Sequence, residues 1–140
     1  MIYGDVALDT IVLDSEGYVD TEAFSLAQDV YIDTCLEGKL LYQSPECVRD
    51  KPFGVEADSW ALGCLTYELL VGSPPFFNLA RDQESIRKAI ELLSVSFPDS
   101  SIHDIKISNE CKDFISRLLV KNLEDRLTFS TREMLDHPWL

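Results

Sequence analysis

The sequence has little that could hold a soft metal. Its 140 residues include two histidines and four cysteines. Cys35, Cys47, Cys64 and Cys111 form no Cys-x-x-Cys pair, and His103 and His137 stand far apart, so no zinc site is expected. Such widely spaced thiols read as reduced cysteines of a cytoplasmic or nuclear protein. No apolar run reaches membrane length, and no membrane partner is expected. The opening residues Met1-Ile2-Tyr3-Gly4-Asp5 have neither a basic nor an apolar stretch, so no secretory signal is visible. Positive charge is scarce too, with 12 Lys and Arg against 25 Asp and Glu and a formal net charge of −13. A chain this acidic has little with which to neutralise phosphates, which argues against a nucleic-acid partner.

Apolar residues are plentiful, at 46 % of the chain, which is enough for a packed core and fits one domain. The acid excess is uneven. Residues 1–50 carry eleven acids against Lys39 and Arg49, a net −9, and the other ninety residues carry −4. An acid-rich run usually forms a solvated face.

Local pattern divides the chain into a few elements. Residues 10–21 read as a hairpin, with a β-branched run Thr10-Ile-Val-Leu-Asp14, a turn at Ser15-Glu16-Gly17 and alternation from Tyr18. Residues 22–55 lack periodicity and contain Gly38, Pro45, Pro52 and Gly54, so they read as a long loop with one helical turn near 44–49. After Asp58, the run Trp60 to Val71 has only Thr66 and Glu68 as polar residues, which predicts a helix buried on every side. Gly72 stops it and Pro74-Pro75 cannot continue it. Residues 82–93 form an amphipathic helix with Ile86, Ala89, Ile90 and Leu93 on one face. A further helix over 110–119 turns Cys111, Phe114, Ile115, Leu118 and Leu119 inward. Ser130 and Glu133 suggest a capping box on a last short helix. The expected fold is mainly α with one small β-hairpin near the start.

Several motifs then stand in order. Ser44-Pro45-Glu46 is similar to the A-P-E motif of eukaryotic serine/threonine protein kinases. Asp58-Ser-Trp-Ala-Leu-Gly63 resembles their D-x-W-x-x-G helix, followed by Gly72-Ser-Pro-Pro-Phe76. Leu123-Glu-Asp-Arg126 and His137-Pro-Trp139 resemble the arginine and H-P-W ending of the large lobe. The ordered set is specific where each piece alone is weak, and its texture is similar to Aurora-like kinases. The resemblance implies a partial protein kinase domain over 1–140, a C-lobe without an N-lobe. Within it, 1–28 would hold the catalytic loop, hairpin and metal loop, 29–55 the activation segment, and 56–140 the helical C-lobe. It also implies that Glu46 and Arg126 meet as a bidentate pair, and that Asp58 holds the catalytic-loop backbone. On its residues alone Asp58 reads equally well as a helix N-cap, and Arg126 as a surface charge.

The earlier residues depart from the family. Against its H-R-D-L-K-P-E-N the chain has Tyr3-Gly4-Asp5-Val6-Ala7-Leu8-Asp9-Thr10, and against D-F-G it has Ala23-Phe24-Ser25. The resemblance puts Asp5 at the position of the catalytic base. It puts Ala7 where a lysine would meet the transferred phosphate, and Thr10 and Ala23 where asparagine and aspartate would hold magnesium. Gly4 replaces an arginine, and Lys39 follows Gly38 where the family has threonine. No Gly-x-Gly-x-x-Gly occurs. Phosphoryl transfer rests on positioning and on charge neutralisation by metal and lysine, and an alanine methyl ligates nothing. Glu22, one residue before Ala23, is the one carboxylate that a slipped register would bring to a metal.

The expectation is therefore a pseudokinase-like segment that binds no Mg·ATP and acts, if at all, by binding protein. Its partner would be another protein or a kinase segment that this chain lacks. The alternative is a truncated part of a serine/threonine kinase that transfers phosphate from ATP to protein only when an N-lobe is supplied. A further expectation is an exposed apolar patch, because Trp60, Leu62, Leu65, Tyr67, Leu69 and Leu70 are too many for the shorter helices downstream to cover.

Overall fold

The computed structural model describes residues 3–20, 40–79, 82–99, 105–129 and 131–140. Five helices carry the fold: α1 (Pro45–Val48), α2 (Val55–Val71), α3 (Gln83–Leu92), α4 (Asn109–Leu118) and α5 (Arg132–Leu135). Single 3-10 turns at Leu40–Tyr42 and Phe77–Leu79 precede α1 and α3. The expected hairpin is reduced to one antiparallel bridge between Leu13 and Val19. Two backbone bonds hold it, Asp14 N to Tyr18 O and Asp20 N to Val12 O, both 2.8 Å. The Asp14 carboxylate closes its turn by accepting from the N–H groups of Glu16 and Tyr18.

Helix α2 is the axis of the core. Trp60 and Cys64 are fully buried on it, and Trp60 stacks on Phe76 with ring centroids 6.0 Å apart. Tyr67 closes the same cluster against Phe97 and donates its hydroxyl to Ser96 O at 3.0 Å. The inner faces of α3 and α4 supply Ala89, Ile90, Cys111 and Ile115 to this cluster. Helix α4 also faces Leu127 and Met134 through Phe114 and Leu118 in a second cluster. Helices α2 and α4 approach closely at Gly63, where a Cβ would lie 2.9 Å from Leu119 Cδ2 and 3.0 Å from Leu118 Cβ.

Caps set the ends of these helices. The Asp82 carboxylate accepts from Ser85 N at 2.8 Å and starts α3. The Ser108 hydroxyl accepts from Cys111 N at 3.1 Å and starts α4. Gly72 ends α2 in the left-handed region at φ 88, which glycine adopts without a Cβ clash. At the far end His137 is buried between Phe114 and Asp113. Its Nδ1 accepts from Trp139 N at 3.2 Å, which leaves Nε2 to carry the proton shared with Asp113 at 3.1 Å.

Four local expectations need correction. Helix α2 is not buried on every side: Leu69 and Leu70 of its last turn are exposed, as the expected apolar patch allows, while Val71 still packs against the core. Leu93 is exposed rather than inward, since it caps α3 in an extended conformation and leaves the helical register. Asp58 is not an N-cap: α2 begins one turn earlier, at Gly54, and Asp58 lies inside the helix. The capping box fails as well. Helix α5 starts from Thr131, and Glu133 instead pairs with Arg117 of α4. Ser130 itself lies outside the described residues, as do Cys35 and His103.

Candidate functional site

The site that the motifs point to gathers on the N-terminal half of α2. Asp58 projects from the first turns of the helix to the segment before it in the chain. Its Oδ2 accepts from Tyr3 N at 2.7 Å and its Oδ1 from Gly4 N at 2.8 Å. Gly4 has φ 78, a conformation in which a side chain would be strained. Burial pushes the Asp58 pKa up, and the two N–H bonds pull against it without reversing the shift.

The loop that follows is tied to itself. The Thr10 hydroxyl accepts from Ala7 N at 3.0 Å. Its single proton is shared between Asp5 O at 2.6 Å and Ala7 O at 2.9 Å. Thr10 thus spends its side chain on its own backbone. The Ala7 methyl is 1 % exposed and packs inward. Asp5 faces solvent. The family's metal and nucleotide need a cation at position 7 and a free ligand oxygen at position 10. Here position 7 is a buried methyl and position 10 a hydroxyl bonded to its own loop. Ala23, with Glu22, Phe24, Ser25, Gly38 and Lys39, lies outside the described residues.

Beside this loop runs a cleft of about 450 Å³. Leu8, Leu41, Pro74 and Phe77 give it an apolar wall, and Asp9 and Glu68 add two carboxylates. The Tyr42 hydroxyl joins its two sides. It donates to the Glu68 carboxylate and accepts from Leu8 N at 3.4 Å. Burial, with the Glu68 carboxylate beside it, raises the Tyr42 pKa to about 12. Tyr42 carried no motif, and Glu68 stood in the sequence only as one of two polar residues on the apolar helix, in the Tyr67-Glu-Leu-Leu stretch that continues the kinase-like motif.

A second polar centre lies under α1. Arg126 meets Glu46 through both arms of its guanidinium, Nη1 to Oε1 at 2.7 Å and Nη2 to Oε2 at 2.9 Å. Nη1 also donates to Glu56 O at 2.9 Å and Nε to Val120 O at 2.8 Å. Burial would raise the Glu46 pKa, but the Arg126 hydrogen bonds and charge hold it below the usual value. Nearby Lys121 lies over the faces of Trp60 and Phe76, 4.5 Å from each centroid, and donates to Ile90 O at 2.5 Å. Sequence reasoning missed Lys121. Its signal is a lone cation directly after the apolar run Leu118-Leu119-Val120.

Among the described residues no group of three or more His, Cys, Asp or Glu could hold a metal ion. Cys47, Cys64 and Cys111 are buried thiols, and burial raises the pKa of Cys64 and of Cys111. No described helix is long and apolar enough to cross a membrane.

Comparison with known proteins places this geometry. The family model for the protein kinase domain matches residues 1–140. A serine/threonine-protein kinase PLK4 from Nematostella vectensis is 36 % identical over 146 residues, covering the whole chain and 14 % of that protein. A protein kinase C from Drosophila melanogaster is 32 % identical, covering 99 % of the chain and 18 % of that protein. The human serine/threonine-protein kinase PAK 4 is 31 % identical over the whole chain and 23 % of its own length. The chain thus spans less than a quarter of each of these relatives, and all of it aligns with them. With its helical, C-lobe-type architecture, the chain belongs to the eukaryotic serine/threonine protein kinase family.

Proposed function

We propose that this chain is a pseudokinase-like part of a protein kinase domain, one that transfers no phosphate as it stands and works by binding protein. The observation that carries the reading is the Thr10–Ala7 arrangement. The hydroxyl at the magnesium position closes its own loop, and the methyl at the lysine position is buried in it. Neither group neutralises charge on a transferring phosphoryl group, and neutralisation is most of what such catalysis requires. Asp5 alone keeps the chemical type of a catalytic residue, and a base with no positioned phosphate transfers nothing.

The protein-binding half of the reading is supported by the apolar cleft. Leu8 and Phe77 on its wall are about half exposed, and Asp9 and Glu68 stand beside them. An extended segment with an apolar side chain next to a lysine or arginine suits such a wall. The buried thiols fit a cytoplasmic or nuclear setting, which we also propose.

Incubation with Mg·ATP and a panel of protein substrates tests the catalytic half. No phosphate incorporation is expected. Incorporation that disappears in Asp5→Asn would overturn the reading. For the binding half, Phe77→Asp should weaken capture of short basic-apolar peptides, and an unchanged affinity would remove the cleft from the account.

A further inference from the structure

The chain is strongly acidic, yet one cavity in it is lined by cations. A pocket of about 510 Å³ beneath α1 is lined by Arg49, Lys51 and Lys121, with Glu46 and Glu124 as its acids. The two acids do not balance the three bases. Glu46 is closed on Arg126 by both oxygens, so its charge is already spent. Glu124 is exposed, and it makes no ion pair among the described residues. Arg49 reaches Glu91 through Nε at 3.1 Å, which leaves the Nη arms of its fork. Lys51 and Lys121 have no carboxylate partner among the described residues. The charge of Lys121 is held only by a carbonyl and two ring faces.

The cavity is built rather than incidental. The Lys51 backbone is held by its N–H bond to Glu46 O at 3.0 Å, which sets where its exposed side chain leaves the chain. The residue before it, Asp50, takes the left-handed φ of 52, which folds the chain back at the end of α1. Lys121 is fixed by the Trp60–Phe76 stack behind it. Cations held close together repel one another, and a dianion placed between them relieves that repulsion. The volume falls in the range of small-ligand sites.

We propose that the cavity lined by Arg49, Lys51 and Lys121 is a binding site for a phosphoryl group, carried by a small molecule or by a phosphorylated side chain. The arginine fork suits two oxygens of a tetrahedral anion, and the two ammonium groups supply point charges to the rest. Glu124 at the rim opposes the ligand and sets a ceiling on affinity. The site lies under α1 and is separate from the Thr10 loop, so it stands whether or not the chain handles nucleotide.

The test is calorimetric titration of the 140-residue chain with inorganic phosphate, with a phosphoserine peptide, and with the same peptide carrying aspartate. Saturable binding of phosphate or phosphopeptide is expected. Lys51→Gln should weaken it roughly tenfold, the change one charge-assisted hydrogen bond supports. Glu124→Gln should strengthen it. Lys51 and Glu124 are both exposed, so neither variant threatens the fold, and effects of opposite sign separate a site from general damage. Phosphopeptide binding well above phosphate would assign the site to phosphorylated side chains, and equal affinities to free phosphoryl ligands. Absence of saturation with both, equal binding of the aspartate peptide, or indifference to both substitutions would overturn the proposal.

Discussion

Arg126 and Glu46 stand eighty positions apart in sequence and face each other through two parallel hydrogen bonds of 2.7 and 2.9 Å, with both side chains out of water. Every arm of the guanidinium is used. The carboxylate takes two bonds, Glu56 O and Val120 O take the others, and Trp60 lies 5.1 Å below the central carbon. Such a pair is costly to desolvate and costlier still to break. It pins α1 and the start of α2 to the loop after α4.

Arg126→Ala is expected to destabilise the chain by about 3–5 kcal/mol, because Glu46 is left buried and unpaired. Arg132 is the control. It is 89 % exposed and pairs with Asp136 one turn on, so Arg132→Ala should cost under about 0.5 kcal/mol. Urea melts of the two variants check this, and equal shifts would remove the buried pair from the account.

Gly63→Ala should destabilise α2 despite alanine's better helix propensity. The new methyl would sit 2.9 to 3.0 Å from Leu118 and Leu119 of the facing segment. Overpacking of that kind costs about 1–3 kcal/mol, against a propensity gain of up to about 1 kcal/mol. In a Leu119→Ala background, which itself costs about 2–5 kcal/mol, Gly63→Ala should cost less than in the parent chain, because the new methyl then has room. A thermal melt of the single and double variants reads the difference.

Lys121 gives the chain a pH dependence on the alkaline side. Its pKa falls from 10.5 to about 8, chiefly through burial, with Arg126 and Arg49 adding repulsion and Cys64 opposing. At Lys121 the unfolded chain therefore binds more protons than the folded one between those two values, so this group's own contribution to stability rises with pH across that window, while Cys64 and Tyr42, whose pKa values burial raises, contribute in the opposite sense. The cost of the buried charge is in full force below pH 8 and gone above 10.5. Read as wild type minus Lys121→Met, a gain of roughly 1–3 kcal/mol is expected across the window, because the opposing groups are common to both proteins. A wild-type profile with no rise relative to the variant would contradict this.

Much of the fold was legible because its signals are local. Gly72 stops α2 and the apolar stripe on α4 shows at helical spacing, whereas the side-chain caps at Asp82 and Ser108, equally local, were not picked out. The misreadings have physical causes. The pattern of α2 cannot say where its neighbours end: it read as apolar on every side and left open which of Trp60, Leu62, Leu65, Tyr67, Leu69 and Leu70 would go uncovered, and Leu69 and Leu70 are the exposed ones. Glu133 was available for a capping box, but a partner on α4 took it. Contacts across the chain were legible only through the family resemblance, as with Asp58 and the Tyr3 and Gly4 amides. Lys121 and Tyr42 were not legible, because a cation on ring faces and a phenol between two segments depend on tertiary position alone.

The central claim is that the loop over residues 3–10 has lost its hold on metal and nucleotide. Calorimetric titration of Mg·ATP into the chain tests it most directly. The Lys51→Gln variant is run alongside, so that binding at the cavity under α1 is not counted. The account predicts that any saturable heat is the cavity's own, weakened roughly tenfold in Lys51→Gln and unchanged by Asp5→Asn or Thr10→Val, while circular dichroism shows every variant folded. Saturation at micromolar nucleotide in both, lost on Asp5→Asn or Thr10→Val, would contradict it.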